Sequence, residues 1–116
     1  MLQQLAALTN LMKNAGGIQR QMEETKEKLA RTQVEGRSSG GQVVVTITGK
    51  LDVVSVRFAS EPSEIGSKTG LEALVMEATN NAIRQAKDLA AKEMQAVATT
   101  LGLPAGMLEK FTGLGG

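Results

Sequence analysis

Between residues 42 and 58 the chain reads QVVVTITGKLDVVSVRF, two runs in which apolar, mostly β-branched side chains alternate with polar ones around Gly49-Lys50. A period of two belongs to strands, and two such runs joined by a glycine-containing pair predict a β-hairpin. A two-residue loop at Gly49-Lys50 pairs Thr48 with Leu51, Ile47 with Asp52, Val45 with Val54 and Val43 with Val56. That register puts Val43, Val45, Ile47, Val54, Val56 and Phe58 on one face of the hairpin. The opposite face carries Val44, Thr46, Thr48, Leu51, Val53, Ser55 and Arg57, which is too apolar for a surface left in water, so both faces call for cover. Residues 33–37, ahead of the SSGG turn at 38–41, predict a further strand and hence a three-stranded antiparallel meander. Gly36, Gly40, Gly41 and Gly49 mark turns or places where backbones come close.

Helical periodicity flanks this sheet. Over residues 2–32, Leu5, Leu8, Met12, Ala15, Ile18, Met22 and Leu29 recur at three-to-four spacing, an amphipathic helix. Gly16-Gly17 weakens its middle, predicting either a kink there or a frayed arm over residues 1–17, with 18–31 the secure part. Downstream, Thr69-Gly70-Leu71-Glu72 reads as a capping box. The helix it opens carries one stripe of Leu71, Val75, Ala78, Ala82, Ala86 and Leu89. An adjoining stripe holds Ile83, Ala90, Met94, Val97 and Leu101. About 30 residues of helix extend roughly 45 Å, farther than so small a domain needs, so the far half packs on a partner or projects. Gly102 and Pro104 end it. The expectation is one α+β domain over 1–104, with a long N-terminal helix, the meander and a long C-terminal helix, followed by a loose tail at 105–116.

Composition narrows the function. A chain of 116 residues with two aromatic side chains, Phe58 and Phe111, has a thin core, so self-association is the first structural expectation. The Ala78, Ala82, Ala86 stripe and the 43–58 hairpin are the surfaces expected to form that interface. The absence of Cys and His removes disulfides, thiolate metal sites and the usual proton shuttle. No enzyme, cofactor or metal is expected, and no small-molecule substrate. The N-terminal stretch lacks the basic start of a signal peptide, and no apolar run approaches the roughly 20 residues that span a bilayer, so a soluble cytoplasmic protein without membrane association is expected.

GSKT at 66–69 superficially suggests a phosphate loop, but Ser67 separates the glycine from the lysine and the required upstream glycine is missing. Asp52, Glu61 and Glu64 fall in turns, where solvated carboxylates are ordinary. Met12, Met22, Met76 and Met94 sit at helical spacings and read as core filler. The charge balance is near neutral, 13 basic against 12 acidic residues, and gives no global argument for nucleic acid. Locally, residues 13–31 hold Lys13, Arg20, Lys26, Lys28 and Arg31 against Glu23, Glu24 and Glu27. Read alone, these cations describe either a solvated helix face or a phosphate-binding one. Stacking of single-stranded bases is excluded, because Phe58 is the one ring on the sheet.

Taken together, NLMK at 10–13, the helix IQRQMEETKEKLA, the run VEGRSSGGQVVVTITGK, then VVSVRF and LGLPAG resemble the YbaB/EbfC family of nucleoid-associated DNA-binding proteins over nearly the whole chain. The resemblance implies a tweezer-like homodimer with helical arms that engage double-stranded DNA with little sequence specificity. It further implies a place in the nucleoid and a role in its organisation or in gene expression. The hairpin is then dimer scaffold rather than a reading head. The Gly16-Gly17 pair and the near-neutral charge depart from the family's pattern. On this reading the DNA-binding cations are Lys13, Arg20, Lys26, Lys28 and Arg31 on the first helix with Arg84, Lys87 and Lys92 on the long one. The rival is a dimeric protein-interaction scaffold that touches no nucleic acid.

Overall fold

The computed structural model describes residues 2–13 and 15–102. In chain order the elements are α1 (Leu2–Lys13), α2 (Ala15–Arg31), β1 (Gln33–Arg37), β2 (Val43–Thr48), β3 (Val53–Phe58), the single-turn α3 (Pro62–Ile65) and α4 (Lys68–Leu101). This is the expected α+β order, with the three strands antiparallel in the order β1-β2-β3. Gly16 and Gly17 both lie inside α2, which is helical from Ala15 to Arg31. Pro104 and the tail at 105–116 lie outside the described residues. Two compact units form, a helical one drawn from the chain up to Lys28 and from Ala91 onward, and a sheet unit spanning Leu29–Ala90.

In the sheet unit, Val43, Val45 and Ile47 of β2 and Ala78, Ala82 and Ala86 of α4 are the fully buried centre, with Val34, Leu71, Leu74, Val75 and Ile83 around it. Each fully buried Val or Ile contributes about 1.5–3 kcal/mol relative to exposure. The alanines allow α4 to lie unusually close to the sheet. A Cβ built on Gly36 of β1 would stand 2.1 Å from the Ala82 amide nitrogen and 2.2 Å from the Ala78 carbonyl oxygen. Only hydrogen fits between these two backbones. The alanine stripe is therefore spent inside the chain, which corrects the expectation that it forms an interface between chains: all three residues are 0% exposed in a single chain.

The hairpin register also needs correction. Val43 pairs with Phe58, Val45 with Val56 and Thr46 with Ser55, and a bulge then sets Ile47 opposite Val53. The loop is longer than two residues because its donors are already engaged. Gly49 N–H reaches both the Leu29 and the Thr32 carbonyl oxygens at 2.9 Å, closing the C-terminal end of α2, and a Cβ there would meet Leu29 O at 2.8 Å. Gly49 therefore does not take the positive φ that a two-residue turn demands; Leu51 does, at 73°. Thr48 organises the wider loop, its hydroxyl accepting from the Lys50 and Asp52 amides at 3.2 Å. A slip of two residues keeps the parity of the faces. Val56 and Phe58 still share the face of Val43 and Val45, while Val53 moves to the Ile47 row.

The start of α4 departs from the expected box by two residues. Ser67, not Thr69, is the cap, its hydroxyl accepting from the Gly70 amide at 3.1 Å, while its carbonyl takes the first helical bond, from Leu71 N–H at 2.8 Å. GSKT is thus a helix start rather than a phosphate loop.

In the helical unit, Ile18 and Met22 of α2 pack with Met94, Val97 and Ala98 of α4, and Leu101 adds to the cluster. The two stripes read along α4 in the sequence thus serve two cores, the alanine stripe in the sheet unit and the Met94–Leu101 part of the second stripe here. Lys28 Nζ meets Glu93 Oε1 at 2.9 Å at the other end of the pair. Ile18 near Leu101 and Lys28 near Glu93 make this an antiparallel helix pair.

Candidate nucleic-acid interface

All eight predicted cations, Lys13, Arg20, Lys26, Lys28, Arg31, Arg84, Lys87 and Lys92, have exposed side chains. Their distribution on the helices differs. On α2 the buried residues Ile18, Met22, Thr25 and Leu29 define the inward stripe. At about 100° per residue, Arg20 and Arg31 fall on the far side, interleaved with Glu24 and Glu27 at four-residue spacing. Lys26 and Lys28 lie on opposite flanks, about 200° apart. The helix presents mixed charge rather than a single basic ridge. Lys28 is also engaged with Glu93, and a charge already paired gains less from a phosphate.

In the sheet unit, Arg84 and Lys87 stand one turn apart on the side of α4 away from the buried Ala82. Arg84 donates to the Asn81 side-chain oxygen, which holds its guanidinium close to the helix. Lys92, on the part of α4 belonging to the helical unit, is exposed one residue from Glu93. Arg84 and Lys87 are thus brought together, whereas the α2 cations are spread around three sides of their helix.

The sheet contributes further charges. Glu35 of β1 accepts from Arg57 of β3 at 3.1 Å and lies 3.5 Å from the neighbouring Arg37 guanidinium. Because β2 separates β1 from β3, the Glu35–Arg57 pair crosses above the central strand, over Thr46, which is buried. Arg37 and Arg57 are two more exposed cations on the side of the sheet away from α4. Both stand apart from the helical cations that the sequence points to. The alternation itself could have found them, since residues 35 and 37 must point opposite to Val34 and Gly36.

A shallow groove runs between β1 and α4, lined by Gln33, Val34, Glu35, Arg37, Asn81, Arg84, Gln85 and Asp88. Its two arginines and two carboxylates make it charge-balanced, and it holds no histidine or cysteine for covalent or proton-transfer chemistry. What the exposed Lys and Arg side chains can do chemically is hydrogen-bond and neutralise phosphate oxygens.

Against this geometry, residues 4–101 match the YbaB/EbfC DNA-binding family. The chain belongs to the YbaB/EbfC family. Similar proteins include a nucleoid-associated protein of Bradyrhizobium diazoefficiens, 35% identical over 89% of this chain and 97% of its own length. Another, from Granulibacter bethesdensis, is 37% identical over 90% of this chain and 97% of its own length. An uncharacterized protein from Helicobacter pylori has the same fold in its crystal structure, with a TM-score of 0.61 at 20% identity, covering 78% of this chain and 91% of that one. The family match spans both units of the chain, so the YbaB/EbfC assignment takes in α2, the sheet and α4 together.

Proposed function

We propose that this chain is a nucleoid-associated protein that binds double-stranded DNA with little sequence specificity, as a homodimer, in the nucleoid of a bacterial cytoplasm. The observation that carries the reading is the family match over residues 4–101, supported by relatives named nucleoid-associated proteins that align along nearly their full length. Among the described residues no helix is long and apolar enough to cross a membrane.

The mechanism is phosphate neutralisation. Flexible Lys and Arg side chains on α2 and α4 contact backbone oxygens and release counterions, a term that is indifferent to base sequence. Among the described residues neither an aromatic wedge nor a dedicated reading helix is available for base discrimination. Two chains double the number of cations offered to one duplex, which offsets the near-neutral charge of each. Covering DNA without regard to sequence is what links such a protein to nucleoid organisation and gene expression.

Self-association is supported by β3. Val53, Val54, Val56 and Phe58 are 59%, 50%, 44% and 40% exposed on a strand whose outer edge pairs with no other strand among the described residues. An apolar, unpaired edge of this kind is a ready surface for a second copy. The near-neutral charge favours one other reading, a dimeric scaffold without DNA.

Gel-shift titration of one duplex and a scrambled duplex across a salt series separates the two. DNA binding through about three to five phosphates per subunit gives equal affinity for both duplexes and a log–log salt slope of about −0.9 per contact. Arg20→Ala combined with Lys87→Ala lowers affinity for both equally. A flat salt response in the unmodified protein returns the scaffold to first place.

A further inference from the structure

The bonds at the two ends of β1 fix which way its backbone faces. Gly49 N–H donates to Thr32 O at 2.9 Å and Ser38 N–H to Val43 O at 3.0 Å, so the even-numbered residues from 32 to 38 turn their backbone groups toward β2. Backbone groups alternate in direction along a strand, and those of Gln33, Glu35 and Arg37 therefore point to the outer edge. α4 covers the apolar side of β1 and closes the last of these groups, the Asn81 amide donating to Arg37 O at 2.7 Å. The N–H and C=O groups of Gln33 and Glu35 meet no partner among the described residues. They open instead on the groove beside α4, about 860 Å³ in volume. β1 carries no proline and pairs with β2 in unbroken register, so it lacks two of the devices that keep a further strand off an edge.

The charges of the groove are ordered along it. Glu77 meets Ser39 and Asn81 meets Arg37, so α4 runs antiparallel to β1. Arg84, whose guanidinium donates to Asn81, stands at the Arg37 end. Asp88 is exposed and lies about 6 Å farther along the helix axis, toward the Gln33 end. Glu35 is committed to Arg57 across the sheet. A polyanion in the groove would face Asp88, and a polycation would face Arg84, each at a cost in repulsion. A segment with one charge of each sign suits both. Residues two apart on a strand share a face and stand about 6.6 Å apart, which matches the spacing of Arg84 and Asp88.

We propose that the outer edge of β1 takes up an extended peptide of a partner protein as a further strand, with an acidic residue at Arg84 and a basic residue two positions away at Asp88. Main-chain bonds to Gln33 and Glu35 provide the affinity, and the opposed charges provide the selection.

The test is an NMR titration of the isotope-labelled full-length protein with threonine-rich peptides centred on Glu-Thr-Lys and, for the opposite strand direction, on Lys-Thr-Glu. One of them moves the Gln33 and Glu35 amide signals saturably below about 1 mM, and binds about tenfold or more tighter than peptides centred on Glu-Thr-Glu or Lys-Thr-Lys. Asp88→Lys transfers the preference to the Glu-Thr-Glu peptide. Gln33→Pro deletes an amide that β2 does not use and weakens binding several-fold with an unchanged circular dichroism spectrum. Of two versions of the best peptide N-methylated on alternate residues, the one whose donors face β1 no longer binds. No saturable shift up to about 1 mM, tightest binding of the Glu-Thr-Glu peptide by the unmodified protein, or undiminished binding of both methylated versions overturns the proposal. Loss of self-association in Gln33→Pro assigns the edge to a second copy and overturns it as well.

Discussion

The two edges of the sheet are treated in opposite ways. At β1, the long helix is drawn against the strand. Gly36 leaves no room for a side chain beside Ala78 and Ala82, the Asn81 amide donates to the Arg37 carbonyl at 2.7 Å, and Glu77 takes both the Ser39 amide and hydroxyl, at 2.8 and 2.6 Å. At β3, no comparable helix contact among the described residues covers Val56 and Phe58, although they share the face of the buried Val43 and Val45. The small residues lie where the chain must meet itself. The large apolar ones lie where nothing among the described residues of the chain meets them. An edge closed by its own helix contributes to folding, whereas a bare apolar edge lowers its free energy only through association.

The strongest way to break this contrast is at the closed edge. Gly36→Ala introduces a methyl group against two backbone segments that no rotamer change can move, costing at least about 3 kcal/mol. Thermal unfolding followed by circular dichroism should fall by about 10–20 °C or lose its transition. A Tm within two or three degrees of the parent, a shift of the size expected for a neutral surface change, would mean that α4 does not press on β1.

At the open edge the same logic predicts a change in assembly with little change in fold. Val56→Asp combined with Phe58→Asp should weaken self-association by about 100-fold or more while altering monomer stability by no more than about 1 kcal/mol. Sedimentation velocity across a concentration series reads the first, and denaturant unfolding the second. A variant that stays dimeric at the lowest concentration would place the interface elsewhere.

The smallest effect belongs to the charges that span the sheet from one edge strand to the other. Glu35 and Arg57 keep 42% and 64% of their side-chain surface in solvent, so Glu35→Ala should cost under about 1 kcal/mol, and less in high salt. A loss several times larger in urea titration would show that this pair, and not the packing of α4, holds β1 in place.

Much of the architecture could be read locally. β1 is legible as a short strand at 33–37 ahead of the SSGG turn. The α2 core face was visible in Ile18, Met22 and Leu29 because helical periodicity survives two glycines whose neighbours are good helix formers. The two stripes along α4 were visible too, but not their destinations. Sequence spacing shows that Ala78, Ala82 and Ala86 line up, and small residues in a line suit either a second chain or a strand of the same chain. Gly36 decides between them only once the two backbones are brought side by side. The predicted cations were legible as charges on helices, and all eight are exposed. Which of them share a face depended on helical phase, and the pairing of Lys28 with Glu93 depended on how two distant helices meet.

By itself the sequence determined what depends on neighbours along the chain: strand alternation, helical stripes, the glycine stop at the end of α4, and the absence of histidine and cysteine. Family membership was legible for the same reason, since it rests on residues in order. Tertiary structure decided everything that requires a distant partner. Gly49 could not form the tight turn that its neighbours suggest, because its amide closes the end of α2, and the register moved by two. Ser67 displaced Thr69 as the cap, and the alanine stripe went to the chain's own sheet. Each of these choices satisfies a backbone hydrogen bond or fills space at a contact between segments far apart in the chain, and local spacing carries no information about which distant group will be there.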